Sequence, residues 1–169
     1  MRNNIKDLFR ESMSRLGAGV TIVTANVDNR PWGLTVSACS SISMEPPLIM
    51  VSTANNTVSS KAIIDEKRFN VAILNEYQID TSLAGAKSGQ PKFFEQYMEK
   101  NENGEYTQVK GALSNISCKL YKTVEAGDHM IFIGQVKEVV LGNKNHPLLY
   151  FDRQFGTFKE HTNSKSQTS

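Results

Sequence analysis

The chain has 169 residues, and its 19 Lys and Arg against 17 Asp and Glu leave a formal net charge of +2. Its 39% apolar and 21% charged composition is ordinary for a globular protein long enough to bury a core without disulfides. A charge so close to neutral implies no basic face, which argues against a nucleic-acid partner. Cys39 and Cys118 form no CxxC pair and are predicted to be buried small hydrophobes.

The sequence predicts neither a signal peptide nor a membrane-spanning segment. The first seven residues contain no apolar stretch of the kind found in signal peptides. The longest apolar runs have the length of a strand, far short of the roughly 20 residues that span a bilayer. We therefore expect a cytoplasmic protein with no membrane partner.

The predicted elements are one N-terminal helix followed mostly by strands. Apolar residues recur at helical spacing from Ile5 to Leu16 and stop at Gly17, which predicts an amphipathic helix. A short helix is predicted over 58–65, after the N-cap candidate Thr57. Runs of β-branched and apolar residues predict strands over 20–27, 32–44, 48–52, 69–74, 116–121, 129–141 and 147–151.

The remaining segments are polar. Residues 75–111 are predicted to form one or two short helices joined by loops, and 159–169 to be a disordered tail after a single domain over 1–158. The strands mostly follow one another without intervening helices, which favours an antiparallel barrel over a doubly wound sheet. No GxGxxG follows a strand, so a Rossmann dinucleotide site is not supported.

The segment from Leu34 to Met44 carries no charged residue along its length. As one strand it would present an apolar face and a face of small, mostly hydroxylic side chains. The hydroxylic face would consist of Thr35, Ser37, Cys39, Ser41 and Ser43. Small hydroxyls beside backbone amides suit a flat heterocycle with polar edges, such as an isoalloxazine. A half-buried strand whose Ser and Thr pair with neighbouring backbone is the alternative, and composition alone somewhat favours it.

Two further segments could bind parts of a nucleotide. The helix start around Thr57, with Lys61 nearby, could hold a phosphate on its free N–H groups, although most capped helices bind nothing. Gly127 and Asp128 form a turn that places His129 at the start of a strand, where an imidazole could contact a planar ring or transfer a proton. The histidines have no ligand spacing, so no metal site is expected.

In order and spacing, short fragments over roughly 9–158 resemble the flavin reductase family, which supplies reduced flavin to two-component monooxygenases. These fragments are Phe9-Arg10, Gly19 to Thr24, Gly33 to Ala38, Ser41-Ile42-Ser43, Pro46-Pro47-Leu48, Phe69-Asn70-Val71, Leu83-Ala84-Gly85, Gly111-Ala112-Leu113, Gly127-Asp128-His129, Ile133-Gly134 and Pro147 to Tyr150. The resemblance implies a mainly β fold with peripheral helices, the antiparallel Greek-key split β-barrel that binds FMN or FAD. It also implies a homodimer with the flavin near the subunit interface.

The resemblance assigns site residues to three groups. The flavin ring would lie against one strand, with Gly85 from a later fragment, and this first group is Gly33, Thr35, Val36, Ser37, Ala38, Cys39 and Gly85. The phosphate and ribityl chain would be held by Ser52, Asn55, Thr57 and Ser59. The nicotinamide of NADH or NADPH would lie by His129, covered by a loop with Tyr150, Arg153 and Phe155.

The activity implied by the resemblance is hydride transfer from NAD(P)H to the flavin. The cofactors carry this chemistry, so no side chain need act as a nucleophile or essential base. A partner oxygenase would receive the reduced flavin. Two alternatives remain open: a flavoredoxin-like FMN electron carrier without nicotinamide activity, and a non-catalytic barrel that binds a partner.

Overall fold

The structure, a computed structural model, describes residues 4–160; most of the predicted tail, 161–169, lies outside the described residues. Helix α1 (Ile5–Ser14) begins at Asn4, whose side chain accepts a hydrogen bond from Lys6 N at 3.2 Å. The predicted helix is therefore confirmed. None of its residues is buried, however, so its apolar face is exposed within the described chain. No helix between residues 4 and 160 has the length and apolarity needed to cross a bilayer.

Most of the described chain is β-structure. The strands are β1 (Ala18–Gly19), β2 (Thr21–Val27), β3 (Arg30–Val36), β4 (Cys39–Met44), β5 (Pro47–Ala54), β6 (Arg68–Ile73), β7 (Met98–Lys100), β8 (Tyr106–Val109), β9 (Ser114–Ala126), β10 (His129–Leu141), β11 (Leu148–Phe151) and β12 (Gln154–Thr157). Seven of them form a sheet in the order β3-β2-β6-β9-β10-β5-β4, with antiparallel pairing throughout. The mainly β prediction is confirmed, but the sheet runs from β3 to β4 without closing into a barrel.

The other strands form two small sheets. β1, β11 and β12 form a three-stranded sheet, and β7 pairs with β8. The helices α2 (Val58–Glu66) and α3 (Ile79–Ala86), with a 3₁₀ turn at Glu95–Tyr97, complete the described elements. Helix α2 and its N-cap are as predicted. The β7–β8 hairpin and β12 are not among the predicted elements.

The single strand predicted over 32–44 is two strands. The chain turns at Ser37 and Ala38, where Cys39 N donates to Ser37 O at 3.0 Å. Val36 and Cys39, on either side of the turn, both pack on the same core. The prediction of one strand with an unbroken hydroxylic face is therefore wrong. The turn changes the alternation, so Thr35 and Cys39 face different surroundings.

Two core clusters bury the middle of the large sheet on both of its faces. The first contains Val23 and Val71, and the second contains their neighbours Ile22 and Ala72. Adjacent strand residues point to opposite faces, so β2 and β6 are covered on both sides. Full burial of a side chain such as Phe132 stabilises a fold by about 1.5–3 kcal/mol. The exposed β9–β10 tip, residues 121–129, lacks this support and is held by strand pairing and by bonds to the segment after β5.

The outer edge of β3 is covered by the segment 92–94. Gly33 N donates to Lys92 O at 2.9 Å, and Phe94 N donates to Pro31 O at 2.8 Å. The Phe94 ring, which is 1% exposed, occupies the space that a Cβ on residue 33 would need. Gly33 therefore lets this segment lie flat against the strand edge.

Candidate functional site

The ends of β5 and β10 bring two predicted groups of residues together. Ser52 pairs with Ile131, and Ala54 pairs with His129. Paired residues share a sheet face, so the Ser52 and His129 side chains lie on the same face as diagonal neighbours, roughly 7–8 Å apart. The fully buried Val51 belongs to the opposite face, in the first core cluster. The predicted phosphate-binding strand end and the predicted nicotinamide residue are thus adjacent.

The turn between β3 and β4 reaches the same place. Ser52 N donates to Ala38 O at 3.0 Å, and Ser37 and Ala38 are exposed. Val36, by contrast, is 6% exposed, and its carbonyl accepts the Thr21 hydroxyl at 2.7 Å. The exposed turn, and not the preceding strand, therefore borders Ser52.

A chain of hydroxyl groups holds the start of α2 beside this strand end. Thr57 Oγ1 accepts from Ser60 N at 3.1 Å and lies 2.8 Å from Ser60 Oγ. Ser60 Oγ also donates to Ala54 O at 2.8 Å. Ser59, in the first turn of α2, is 5% exposed. The first N–H groups of a helix lack intrahelical partners and carry partial positive charge, so this start fits a phosphate group.

Asn55 joins the strand end to the turn that carries His129. Asn55 N donates to Asp128 O at 2.9 Å, and Asn55 Nδ2 donates to Gly127 O at 3.0 Å. Asp128 Oδ1 in turn lies 2.7 Å from His129 Nδ1. This hydrogen bond is the main reason that the pKa of Asp128 lies below its usual value. The bond occupies one ring nitrogen and leaves the other, on a half-exposed side chain, available to a ligand.

Three residues of the predicted ring-binding group are instead packed against other parts of the protein. The Thr35 hydroxyl donates to Ser82 O in α3. Gly85 of the same helix faces Thr35 so closely that a Cβ would lie 2.8 Å from Thr35 N. Gly33 faces Phe94, as described above. Flavin contacts by these three residues stay predictions, and the structure gives each of them a packing role.

The predicted nicotinamide loop lies on the β11–β12 hairpin. The rings of Tyr150 and Phe155 are 5.3 Å apart, and Arg153 Nη2 donates to Glu11 Oε2 at 2.8 Å. The bond to Arg153 is the largest reason that the pKa of Glu11 is lowered. Within residues 4–160, no hydrogen bond joins this hairpin to the turn at 127–129. The single chain therefore does not bring the hairpin and His129 together through direct bonding.

Both cysteines are shielded from ionisation. Desolvation by burial raises the pKa of Cys39 to about 11 and that of Cys118 to about 12. Both thiols are therefore protonated at neutral pH, and neither is suited to nucleophilic chemistry, which requires a thiolate. Across residues 4–160, no group of three or more His, Cys, Asp and Glu side chains is arranged to hold a metal.

The clefts of the single chain do not coincide with the strand-end site. One cleft of about 760 Å³ is lined by residues of β2, β6, β9 and the segment 103–107, and by none of the predicted site residues. Another, of about 460 Å³, lies against the β11–β12 hairpin and includes Phe155. Neither of these two clefts includes Ser52 or His129.

An apolar sheet face beside Ser52 was not predicted as part of the site. Met50 pairs with Ile133, and Ile131 pairs with Val124, on the face that carries Ser52 and His129. Val124 is 39% exposed. The run from Leu48 to Val51 is apolar in both alternations, a pattern that signals a strand covered on two faces. The sequence therefore contained a signal for a second covered face.

Comparison with known proteins supplies the family. The family model for the flavin reductase like domain matches residues 13–159. The reductase component of 4-hydroxyphenylacetate 3-monooxygenase from Thermus thermophilus is 32% identical over 154 residues, 89% of this chain and 95% of that protein. A flavin reductase (NADH) from Kitasatospora aureofaciens is 31% identical over 155 residues, 88% of this chain and 80% of that protein.

A solved structure gives the same result. BorF, the flavin reductase component of a bacterial two-component tryptophan halogenase, superposes with a TM-score of 0.82 at 26% identity, covering 92% of this chain and 99% of that one. The resemblance identified from short sequence fragments is thus confirmed over most of the chain. This protein belongs to the flavin reductase like domain family.

Proposed function

We propose that the protein is an NAD(P)H:flavin oxidoreductase that reduces FMN or FAD and supplies the reduced flavin to a partner monooxygenase. The observation that carries the proposal is the meeting of Ser52, the α2 start and His129 at one end of β5 and β10. These are the groups that a flavin phosphate and a nicotinamide would require. Relatives that match most of the chain are named as the reductase component of a monooxygenase and as a flavin reductase (NADH).

The residues present fit a flavin by their chemistry. Ser52, Thr57 and Ser59 offer hydroxyls around a helix start whose N–H groups favour an anion, and Lys61 is exposed on the same helix. We assign the phosphate and ribityl chain to these hydroxyls and to the helix start. The flavin ring is assigned to the Ser37–Cys39 turn, backed by the strand from Gly33 to Val36 and by Gly85.

The protein's own groups bind and orient, while the flavin supplies the redox chemistry by accepting a hydride when it is bound. His129 presents a ring oriented by Asp128 at the position assigned to the nicotinamide. Tyr150, Arg153 and Phe155 are assigned to covering the pyridine nucleotide. No proton need be moved by a side chain, which agrees with the protonated cysteines.

Anaerobic mixing tests the proposal directly. We expect catalytic amounts of the purified protein to remove the visible absorbance of excess FMN or FAD when NADH or NADPH is added, because hydride transfer reduces the flavin. A protein that binds flavin but is reduced by neither nucleotide would be an electron carrier. A protein that takes up no flavin on titration would be a non-catalytic binding module. Either outcome would refute the reductase.

We also propose that the protein is a homodimer of the split-barrel type, formed from the domain over 1–158. The largely apolar face of Met50, Ile131, Ile133 and Val124, which also carries Lys122 opposite Ile133, continues directly from Ser52 and His129. A second copy packed on it would bury apolar surface and shield the half-exposed His129 ring.

The dimer proposal predicts a change of mass in solution. We expect light scattering to give twice the chain mass of 18.8 kDa, and Val124→Lys to shift the protein toward the monomer by placing a charge in the interface. Val139→Lys is the control, since Val139 is also an exposed valine but lies on β10, paired with Ile116 away from this face. A monomeric parent protein, or equal effects of the two substitutions, would contradict the proposal.

A further inference from the structure

We propose that Asn55 is a positioning residue that holds the Gly127–His129 turn, and through it the His129 ring, against the end of β5. The inference rests on the proposed function. It separates Asn55 from the hydroxyl residues around it, which the proposed function assigns to direct flavin binding. Asn55 would therefore act on the nicotinamide side of the site.

The hydrogen bonds of Asn55 carry the inference. Its backbone N–H is bonded to Asp128 O and its side-chain Nδ2 to Gly127 O, so successive carbonyls of the turn are held by one residue. Gly127 has a φ of +64°, in the left-handed region that glycine adopts at little cost. Strand pairing holds the residues that flank the turn, with His129 opposite both Ala54 and Ala126, and the side-chain bond adds a direct anchor at the exposed Gly127.

The position of the His129 ring depends on the same turn. Asp128 lies between Gly127, whose carbonyl accepts from Asn55 Nδ2, and His129. The Asp128 carboxylate binds His129 Nδ1. A shift of the Asp128 backbone would therefore move both the start of β10 and the group that orients the ring. The ring is half exposed, so packing alone does not fix it.

The preceding residue connects the turn to the helix start. Ala54 O accepts the Ser60 hydroxyl, which also contacts Thr53 and Thr57. Ala54, which is bonded to α2, is thus followed directly by Asn55, which is bonded to the turn that carries His129. Asn55 Oδ1 is buried and has no hydrogen-bond partner among the described residues. An unpaired buried acceptor lowers the stability of a fold, so folding stability does not explain why asparagine stands at position 55.

Asn55→Ala tests the proposal in three measurements. We expect the single-turnover rate of flavin reduction by NADH to fall about tenfold, since small misplacements of a positioning group are costly. We expect the flavin dissociation constant to change less than about twofold, because the retained hydroxyls and helix start hold the phosphate. Amide hydrogen exchange in the segment 127–131 should become faster, since one of the bonds that hold the turn is lost. Asn143→Ala, at an exposed position between β10 and β11, is the matched control.

A double variant tests whether Asn55 acts through His129. Asn55→Ala combined with His129→Ala should be no slower than His129→Ala alone, because the ring that Asn55 positions is already absent. Asn55→Asp should resemble Asn55→Ala, since a carboxylate cannot donate to Gly127 O. If the Asn55→Ala protein does not fold, Asn55→Asp provides the same test.

Three results would overturn the assignment. They are an equal loss of flavin affinity and reduction rate, additive effects in the double variant, or exchange in 127–131 that remains as in the parent protein. The first would make Asn55 a direct flavin contact. Failure of the parent protein to reduce flavin would refute the proposed function. The exchange measurement would still decide whether Asn55 holds the turn.

Discussion

Replacement of His129 by alanine is expected to slow flavin reduction by NADH or NADPH by about 10- to 100-fold while leaving flavin binding nearly unchanged. The ring stands on an exposed turn, with Nδ1 bonded to the Asp128 carboxylate and the other nitrogen available to a ligand. Its removal takes away the group assigned to the nicotinamide and leaves Thr57 and Ser59 in place for the flavin phosphate. Single-turnover reduction and flavin titration measure the two effects separately.

A second histidine provides the control for this experiment. His146 is also exposed, and its described hydrogen bond is made by the backbone carbonyl, which accepts from Glu76 N. His146→Ala should therefore leave both quantities unchanged. Equal losses of reduction rate and flavin affinity in His129→Ala would show that the histidine is misassigned. Asp128→Asn, which weakens the charge that orients the ring, should give a smaller loss of rate than His129→Ala.

Replacement of Gly85 by alanine is expected to lower the free energy of unfolding by about 1–3 kcal/mol, as overpacking of a filled site does. The added Cβ would press on the backbone and hydroxyl of Thr35, a residue already bonded to Ser82 O. Helix α3 would have to move away from β3. Each kcal/mol should lower the melting temperature by roughly 2–4 °C in a protein of this size.

The Gly85 prediction is checked by thermal unfolding without flavin, so that a loss of ligand contacts does not contribute. Gly19→Ala is the matched control, because no atom lies within 4 Å of a Cβ at that position. Thr35→Ala combined with Gly85→Ala should destabilise less than the sum of the single changes, since one of the two clashing groups is gone. Unchanged stability in Gly85→Ala would contradict the packing role.

Much of the fold follows from local sequence signals. The β-branched runs predicted most strands, and Thr57 marked the start of α2 because its hydroxyl can cap the helix. The strand β12 was missed because its hairpin turn uses Asp152 and Arg153 at positive φ, where glycine or asparagine is the usual signal. The break at Ser37 was missed because small residues continue the apparent alternation through the turn.

The candidate site was predictable only in part, for a physical reason. The turn at Gly127 and the helix start at Thr57 can be recognised locally, so their residues were found. That Asn55 bonds Gly127 O depends on strand pairing between residues about 70 positions apart, which no short pattern encodes. The hydroxyl of Thr35 looked available for a ligand because nothing in the sequence shows that α3 folds back onto β3.

The covered edge of β3 has a consequence for how the protein avoids aggregation. Unpaired N–H and C=O groups along a strand edge can recruit a foreign strand, and the segment 92–94 bonds Pro31 O and Gly33 N on the edge of β3. The opposite edge of the large sheet, β4, carries an irregular register between Ser41 and Ser43 that interrupts regular pairing. The β3 edge is thus covered by another segment of the chain, and the β4 edge is irregular. Both features protect an open sheet against edge-to-edge aggregation.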